Sequence, residues 1–266
     1  MKSLFSLLLA LIMIFALSAC GETDAVQDIT IPTQSAAFSP SAPAETPDFP
    51  ASTPSEETAE EDAPILHSGL REDGTFSAGT LFIGDSLTYI FTGSYLRDNG
   101  LLGECKYMAK CGSQITAFFD STILSAGNRM VARYSAEFEG MHFNDAAASL
   151  GERAAAIYIM WGTNFTPDAS AQTYVDIVNF LLENCPNATI HLQTIPYGDV
   201  NYTEVNKRIT DAYDHYAQIG KARVMLIDTF TAIGKHTVDG IHLDNEGNAN
   251  WYNAIVQHAS SNNLYE

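Results

Sequence analysis

Positive charge is scarce in this chain: 13 Lys and Arg stand against 32 Asp and Glu, a formal net charge of −19 over 266 residues. Nucleic-acid binding draws much of its affinity from cationic groups that displace counterions, so an acidic chain without a basic patch is a poor candidate for it. A polymer carrying its own negative charge would not be attracted either, and would have to be held by local contacts. Cysteine is sparse as well, with only Cys20, Cys105, Cys111 and Cys185. No pair has the Cys-x-x-Cys spacing of a metal or redox site, and the three after Cys20 are odd in number, so they cannot all pair internally. Cys105 and Cys111 are close enough in sequence to bridge locally, but buried free thiols are the simpler reading. The chain has no His-Glu-x-x-His, no Gly-x-Gly-x-x-Gly and no Walker loop, and so none of the common signatures for zinc, dinucleotides or nucleoside triphosphates.

The N-terminal end carries a basic Lys2 and an apolar run from Leu4 to Leu17, the signature of a secretory signal peptide. It is too short for a membrane-spanning helix. Its end, Leu17-Ser18-Ala19-Cys20-Gly21, resembles the lipobox of bacterial lipoproteins. That resemblance implies removal of residues 1–19, diacylglyceryl modification of Cys20, and a protein anchored on the extracytoplasmic face of a bacterial cell membrane. Residues 20–66 follow without a single Lys or Arg, rich in Ser, Thr, Pro, Ala and acidic groups. Such a composition buries too little apolar surface to offset its ordering entropy, and is expected to be a disordered tether. As a flexible coil it spans ~35–40 Å. Residues 67–266 are long enough for one domain with a substantial core, with no second linker and no internal repeat.

In that domain five strand-length apolar runs recur, at Thr80–Ile83, Cys105–Met108, Ala156–Met160, Thr189–Leu192 and Val224–Ile227. Helical patterns are clearest at Ala171–Glu183, Asn201–Gln218 and Asn245–His258. Strands alternating with helices imply an α/β fold with a mostly parallel sheet covered on both faces, its working residues at the carboxyl ends of the strands. Residues 120–150 are the least legible, and read as a partly helical insertion shaping a cleft.

The first strand runs into Gly84-Asp85-Ser86-Leu87-Thr88. A serine there stands at a helix N-terminus, where backbone N–H groups favour negative charge, and it also suits a helix N-cap. The longer string Phe82-Ile83-Gly84-Asp85-Ser86-Leu87-Thr88 resembles block I of the SGNH (GDSL) hydrolases, and the family's other blocks follow in order. Ala109-Lys110-Cys111-Gly112-Ser113 occupies the place of the second block without the Asn that often precedes its glycine; Gly112 is also readable as a plain turn glycine. Trp161-Gly162-Thr163-Asn164-Phe165 keeps the Gly and Asn of the third block but has Phe165 in place of the usual Asp. Val238-Asp239-Gly240-Ile241-His242 matches the final Asp-x-x-His.

The resemblance covers residues 79 to 258. It implies a flavodoxin-like three-layer α/β/α sandwich around a five-stranded parallel sheet, a triad of Ser86, Asp239 and His242, and an oxyanion hole formed by Ser86, Gly112 and the Asn164 side chain. No metal or organic cofactor is implied. His236, without a partner at the motif spacing, reads as an exposed loop residue, and His142, His191 and His215 as structural. The expected activity is carboxylic-ester hydrolysis, with an acylated glycan or other small-acyl ester, acetyl first, as substrate. The alternatives are a lipase, lysophospholipase or thioesterase with a lid around Phe118-Phe119 and Ile123-Leu124, and a glycan-binding lipoprotein without catalysis.

The anchor can be tested alone. Cys20→Ser removes the proposed attachment thiol and should move the protein from the membrane fraction to the soluble one; retention of the variant in washed membranes would mean that something else anchors it.

Overall fold

A computed structural model of the chain describes residues 64–120, 124, 131–164 and 169–264. The expected signal peptide, Cys20 and residues 20–63 of the tether lie outside these, as do Ile123 and Phe165.

Six strands form one sheet: β1 (Thr80–Gly84), β2 (Lys106–Lys110), β3 (Ala132–Tyr134), β4 (Ala156–Met160), β5 (Thr189–Gln193) and β6 (Val224–Ile227). Their spatial order is β3-β2-β1-β4-β5-β6. All pairings are parallel except β2 with β3. Every residue of β1, β4 and β5 is buried, which is why these strands read as unbroken apolar runs and not as alternating ones.

The helices are α1 (Ser86–Ile90), which runs on as a π-helical segment Phe91–Leu96, α2 (Phe143–Ala148), α3 (Ala171–Asn184), α4 (Thr203–Gln218), α5 (Thr229–Ile233) and α6 (Asn245–Ser261). Local chemistry starts two of the three long ones. Ser170 and Thr173 form a capping box ahead of α3, and the Asp244 carboxylate accepts the Gly247 N–H at the start of α6. Each satisfies backbone donors that the helix itself leaves open. α3 packs on α4, and α6 on α5 and the π-helical segment.

Five of these strands are the expected ones, and they make up the parallel part of the sheet. The sixth, β3, comes from the illegible insertion. It pairs antiparallel with β2 through Met108 and Tyr134, Ala109 and Arg133, and Lys110 and Ala132. A strand of three residues gives no periodic signal, but it covers an edge that β2 would otherwise expose. With β3 set aside, the chain winds outward from β1 in both directions. The carboxyl end of β1 is therefore the switch point where a doubly wound sheet opens a crevice.

An aromatic ladder crosses one face of the sheet. Phe82 of β1 lies in register with Tyr158 of β4, and Tyr158 with His191 of β5; the rings stack at 4.9 Å and 4.5 Å. Burial drives the His191 imidazole down to about 3, so it is a neutral member of the core, as its position outside the motifs implied. All three described cysteines are free. Cys105 and Cys111 flank the extended β2, which holds them ~20 Å apart along the strand, far beyond the reach of a disulfide.

Trp251 of α6 is fully buried. Its ring stacks on Phe91 at 4.0 Å, and its indole N–H donates to the Gln193 Oε1 at 2.6 Å. Trp251→Ala should cost about 3–5 kcal/mol, read as a lower urea midpoint at unchanged m-value; a midpoint close to wild type would show that this helix is not locked to the sheet as described.

Candidate active site

The carboxyl ends of β1, β2 and β4 and the loop before α6 converge at the switch point. Ser86 is the first residue of α1 and is 7% exposed. The helix is capped by its neighbour: the Asp85 carboxylate accepts the Leu87 N–H at 3.1 Å, which overturns the reading of Ser86 as the N-cap and leaves its hydroxyl available. That hydroxyl lies 3.0 Å from the His242 Nε2. The other ring nitrogen, Nδ1, is 2.6 Å from the Asp239 Oδ2.

Asp239 and His242 reach one point because their loop folds back on itself. Val238 N–H donates to the His242 carbonyl, Thr237 and Leu243 form an isolated bridge, and the Asp239 Oδ1 accepts the N–H groups of Ile241 and His242 at 3.1 and 2.7 Å. Gly240 makes the turn with φ +86°, a conformation that favours glycine. A side chain there would also strike Asp199. Partial burial works to raise the Asp239 carboxyl, but hydrogen bonds from the His242 ring and from the His242 and Ile241 N–H groups outweigh it and hold the group below its ordinary value.

The oxyanion candidates lie on the neighbouring strand ends. Gly112 follows β2 with φ +71°, so the turn reading of this glycine is correct as geometry and is compatible with a donor role. Among the described residues neither its N–H nor that of Ser86 has an acceptor. Asn164 follows β4, its Nδ2 donating to the Ser113 carbonyl at 3.1 Å and standing 3.3 Å from the Thr163 Oγ1. The loops after β2 and β4 are thus tied together beside Ser86. Phe165, the departure from the block-three pattern, lies outside the described residues.

Three residues near the site escaped the sequence reading. Asp85 is fully buried, and its Oδ2 accepts from the Gly162 N–H, the Thr163 N–H and the Thr163 hydroxyl. Its place directly before the serine was the available signal. Trp161 donates its indole N–H to the same Ser113 carbonyl at 3.1 Å. Tyr202, buried ahead of α4, has its phenol pushed up to about 12 by burial and by the charges of Asp85 and Asp239; nothing in the sequence marked it.

The remaining histidines stand apart from the triad. His236 departs from expectation: it is half-buried, with Nδ1 3.7 Å from Glu246 and 4.0 Å from Asp244, because the start of α6 brings two carboxylates to it. His142 precedes α2, and His215 lies edge-on to Tyr216. The lid residues also differ from expectation. Among the described ones, Phe118 and Leu124 are fully buried, and Phe119 shows substantial surface, at 46%. Phe118 is anchored edge-on against Phe180 of α3.

No family model matches the chain, and no curated protein matches it. Among solved structures it is similar to a family two carbohydrate esterase from Clostridium thermocellum in complex with cellohexaose, at 13% identity and TM-score 0.48, over 69% of this chain and 63% of that one. A GDSL-like lipase from Bacteroides thetaiotaomicron aligns at 14% identity and TM-score 0.43, over 69% and 88%. A family 3 carbohydrate esterase from Talaromyces cellulolyticus aligns at 14% identity and TM-score 0.45, over 68% and 96%.

The lowered Asp239 value sets a pH dependence. Between that value and the ordinary 3.8 the folded chain binds fewer protons than the unfolded one, so the stabilisation is complete above the ordinary value and is lost as pH falls through the lowered one. Asp239→Asn should remove this contribution, so that its urea midpoint falls less steeply than that of wild type below about pH 4. Identical acid limbs would show that the pair contributes nothing in solution.

Proposed function

We propose that this chain is a serine esterase that cleaves carboxylic esters through an acyl-enzyme on Ser86. The observation that carries the reading is the relay from the Ser86 hydroxyl to the His242 Nε2 at 3.0 Å and from the His242 Nδ1 to Asp239 at 2.6 Å. A binding module needs no nucleophile joined to its own base.

In this reading the Ser86 oxygen attacks the ester carbonyl carbon while its proton passes to the His242 Nε2. Asp239 holds the proton on Nδ1 and stabilises the imidazolium. The N–H groups of Ser86 and Gly112 and the Asn164 amide receive the oxyanion. The imidazolium then protonates the departing alcohol oxygen as the ester bond breaks. Water, deprotonated by His242, attacks the acyl-Ser86 ester and releases the carboxylic acid and the free serine.

The proposed substrate is a small acyl ester, acetyl first, on a carbohydrate or cell-envelope glycan. Among the described residues, burial of Phe118 and Leu124 in the core disfavours a lipase-type lid built from them. The extracytoplasmic, lipid-anchored location belongs to the same proposal and rests on residues 1–20. So does the division of the chain into leader, tether and domain.

Covalent labelling by a fluorophosphonate probe, together with hydrolysis of aryl esters of increasing chain length, tests the reading. Ser86→Ala and His242→Ala should each lower hydrolysis of an aryl acetate by several orders of magnitude, and the double variant should be little worse than either, because the groups act as a unit. Losses that multiply, or a wild-type protein that neither labels nor hydrolyses, would sink the proposal.

A further inference from the structure

Asp85 is a buried carboxylate that takes no part in the relay and has no Lys or Arg within ion-pair distance among the described residues. A buried charge is costly unless donors fill its oxygens, and here they do. Oδ1 takes the Leu87 N–H at 3.1 Å. Oδ2 takes the Gly162 N–H at 3.1 Å, the Thr163 N–H at 2.9 Å and the Thr163 hydroxyl at 2.6 Å. One side chain thus fixes both the helix that begins at Ser86 and the loop that leads to Asn164.

With Asp85 ionised, the state its four donors favour, the hydrogens in this chain of contacts can be assigned in only one way. The Thr163 hydroxyl has one hydrogen, and the carboxylate claims it. Toward the Asn164 Nδ2, 3.3 Å away, the hydroxyl therefore presents a lone pair. The other hydrogen of that amide goes to the Ser113 carbonyl at 3.1 Å, itself steadied by the Trp161 indole. If the Asn164 amide were turned over, its oxygen would face two acceptors. The Thr163 contact is the longer of the two, and a neutral hydroxyl is a weaker acceptor than an anion.

We propose that Asp85 and Thr163 are positioning residues that hold the Asn164 amide in its donor orientation, and that the hydrogen it shares with Thr163 at rest is the one an oxyanion takes over. The proposal rests on the esterase reading above and adds to it how the third donor is aimed. Asparagine could not replace Asp85, because either orientation of its amide would set an NH₂ group against backbone N–H donors.

The experiment compares Thr163→Val, Thr163→Ser and Thr163→Ala in the full chain, with kcat and KM for an aryl acetate normalised to fluorophosphonate-titrated sites. Thr163→Val should lower kcat by about ten- to a hundredfold with little change in KM, since the affected interaction belongs to the transition state. Thr163→Ser, which keeps the hydroxyl, should recover most of the loss. In an Asn164→Ala background Thr163→Val should cost little more, because it acts through the residue already removed. If Thr163→Val does not fold, Thr163→Ser against Thr163→Ala differs by the hydroxyl alone and decides the question. An unchanged kcat in a labelled, folded Thr163→Val protein overturns the positioning role, as does an equal loss in the Asn164→Ala background. A wild-type chain that fails to label overturns the esterase reading itself, which separates the two failures.

Discussion

A carboxylate without solvent contact sits where β1 ends, and the geometry of the site depends on its being satisfied. Removing such a charge from water costs several kcal/mol even after relaxation, and hydrogen bonds to a charged acceptor return about 1.5–3 kcal/mol each. Asp85 has four of them, but they come from two separate parts of the chain, α1 and the loop after β4. The balance is favourable only when β1 and β4 lie side by side in the correct register, with Gly84 opposite Met160. Burial still pushes the Asp85 carboxyl up, with the Thr163 hydroxyl and the backbone donors pulling against it. The arrangement of Ser86 against Asn164 is thus coupled to assembly of the sheet itself.

Much of the architecture was legible because it is written locally. β1, β4 and β5 are buried on both faces and show as apolar runs, and α3, α4 and α6 carry strong periodic patterns at nearly the expected limits. The Asp239 and His242 pair was legible for a similar reason. Its geometry is made within a seven-residue loop closed by the bridge from Thr237 to Leu243, so a fixed spacing in sequence becomes a fixed geometry in space. Ser86 could be placed from the strand before it and the helix after it.

The illegible parts depend on partners far away in the chain. β3 is a strand only because β2 offers an edge, and neither its three residues nor their neighbours carry a period. Ser86 was open to reading as a cap because a capping residue and its neighbour are hard to separate by pattern; the structure gives that task to Asp85. The tie from Asn164 to Ser113 spans 51 positions and that from Trp161 spans 48, and no local rule links such residues. His236 gained two carboxylate neighbours from the start of α6, although its own surroundings in sequence suggest only an exposed loop.

These placements bear on where the proposed esterase would obtain its transition-state stabilisation. α1 has five residues before it widens into a π-helical segment, too short for the dipole of a long helix to build up. The Asp239 side chain is 51% exposed and that of His242 31%, so water screens the field of the carboxylate and weakens its support of the imidazolium. What Asp239 supplies undiminished is geometric: it fixes the proton on Nδ1 and aims Nε2 at Ser86. Asp85, Ser113 and Trp161 are buried, with Thr163 half-buried between them and Asn164. In the proposed esterase the oxyanion donors are no drier than the relay, since Gly112 is exposed and Asn164 half-buried. What the buried Asp85, Ser113 and Trp161 supply is therefore geometric, like the part played by Asp239, because they hold the loop and the amide that would receive the oxyanion in one place.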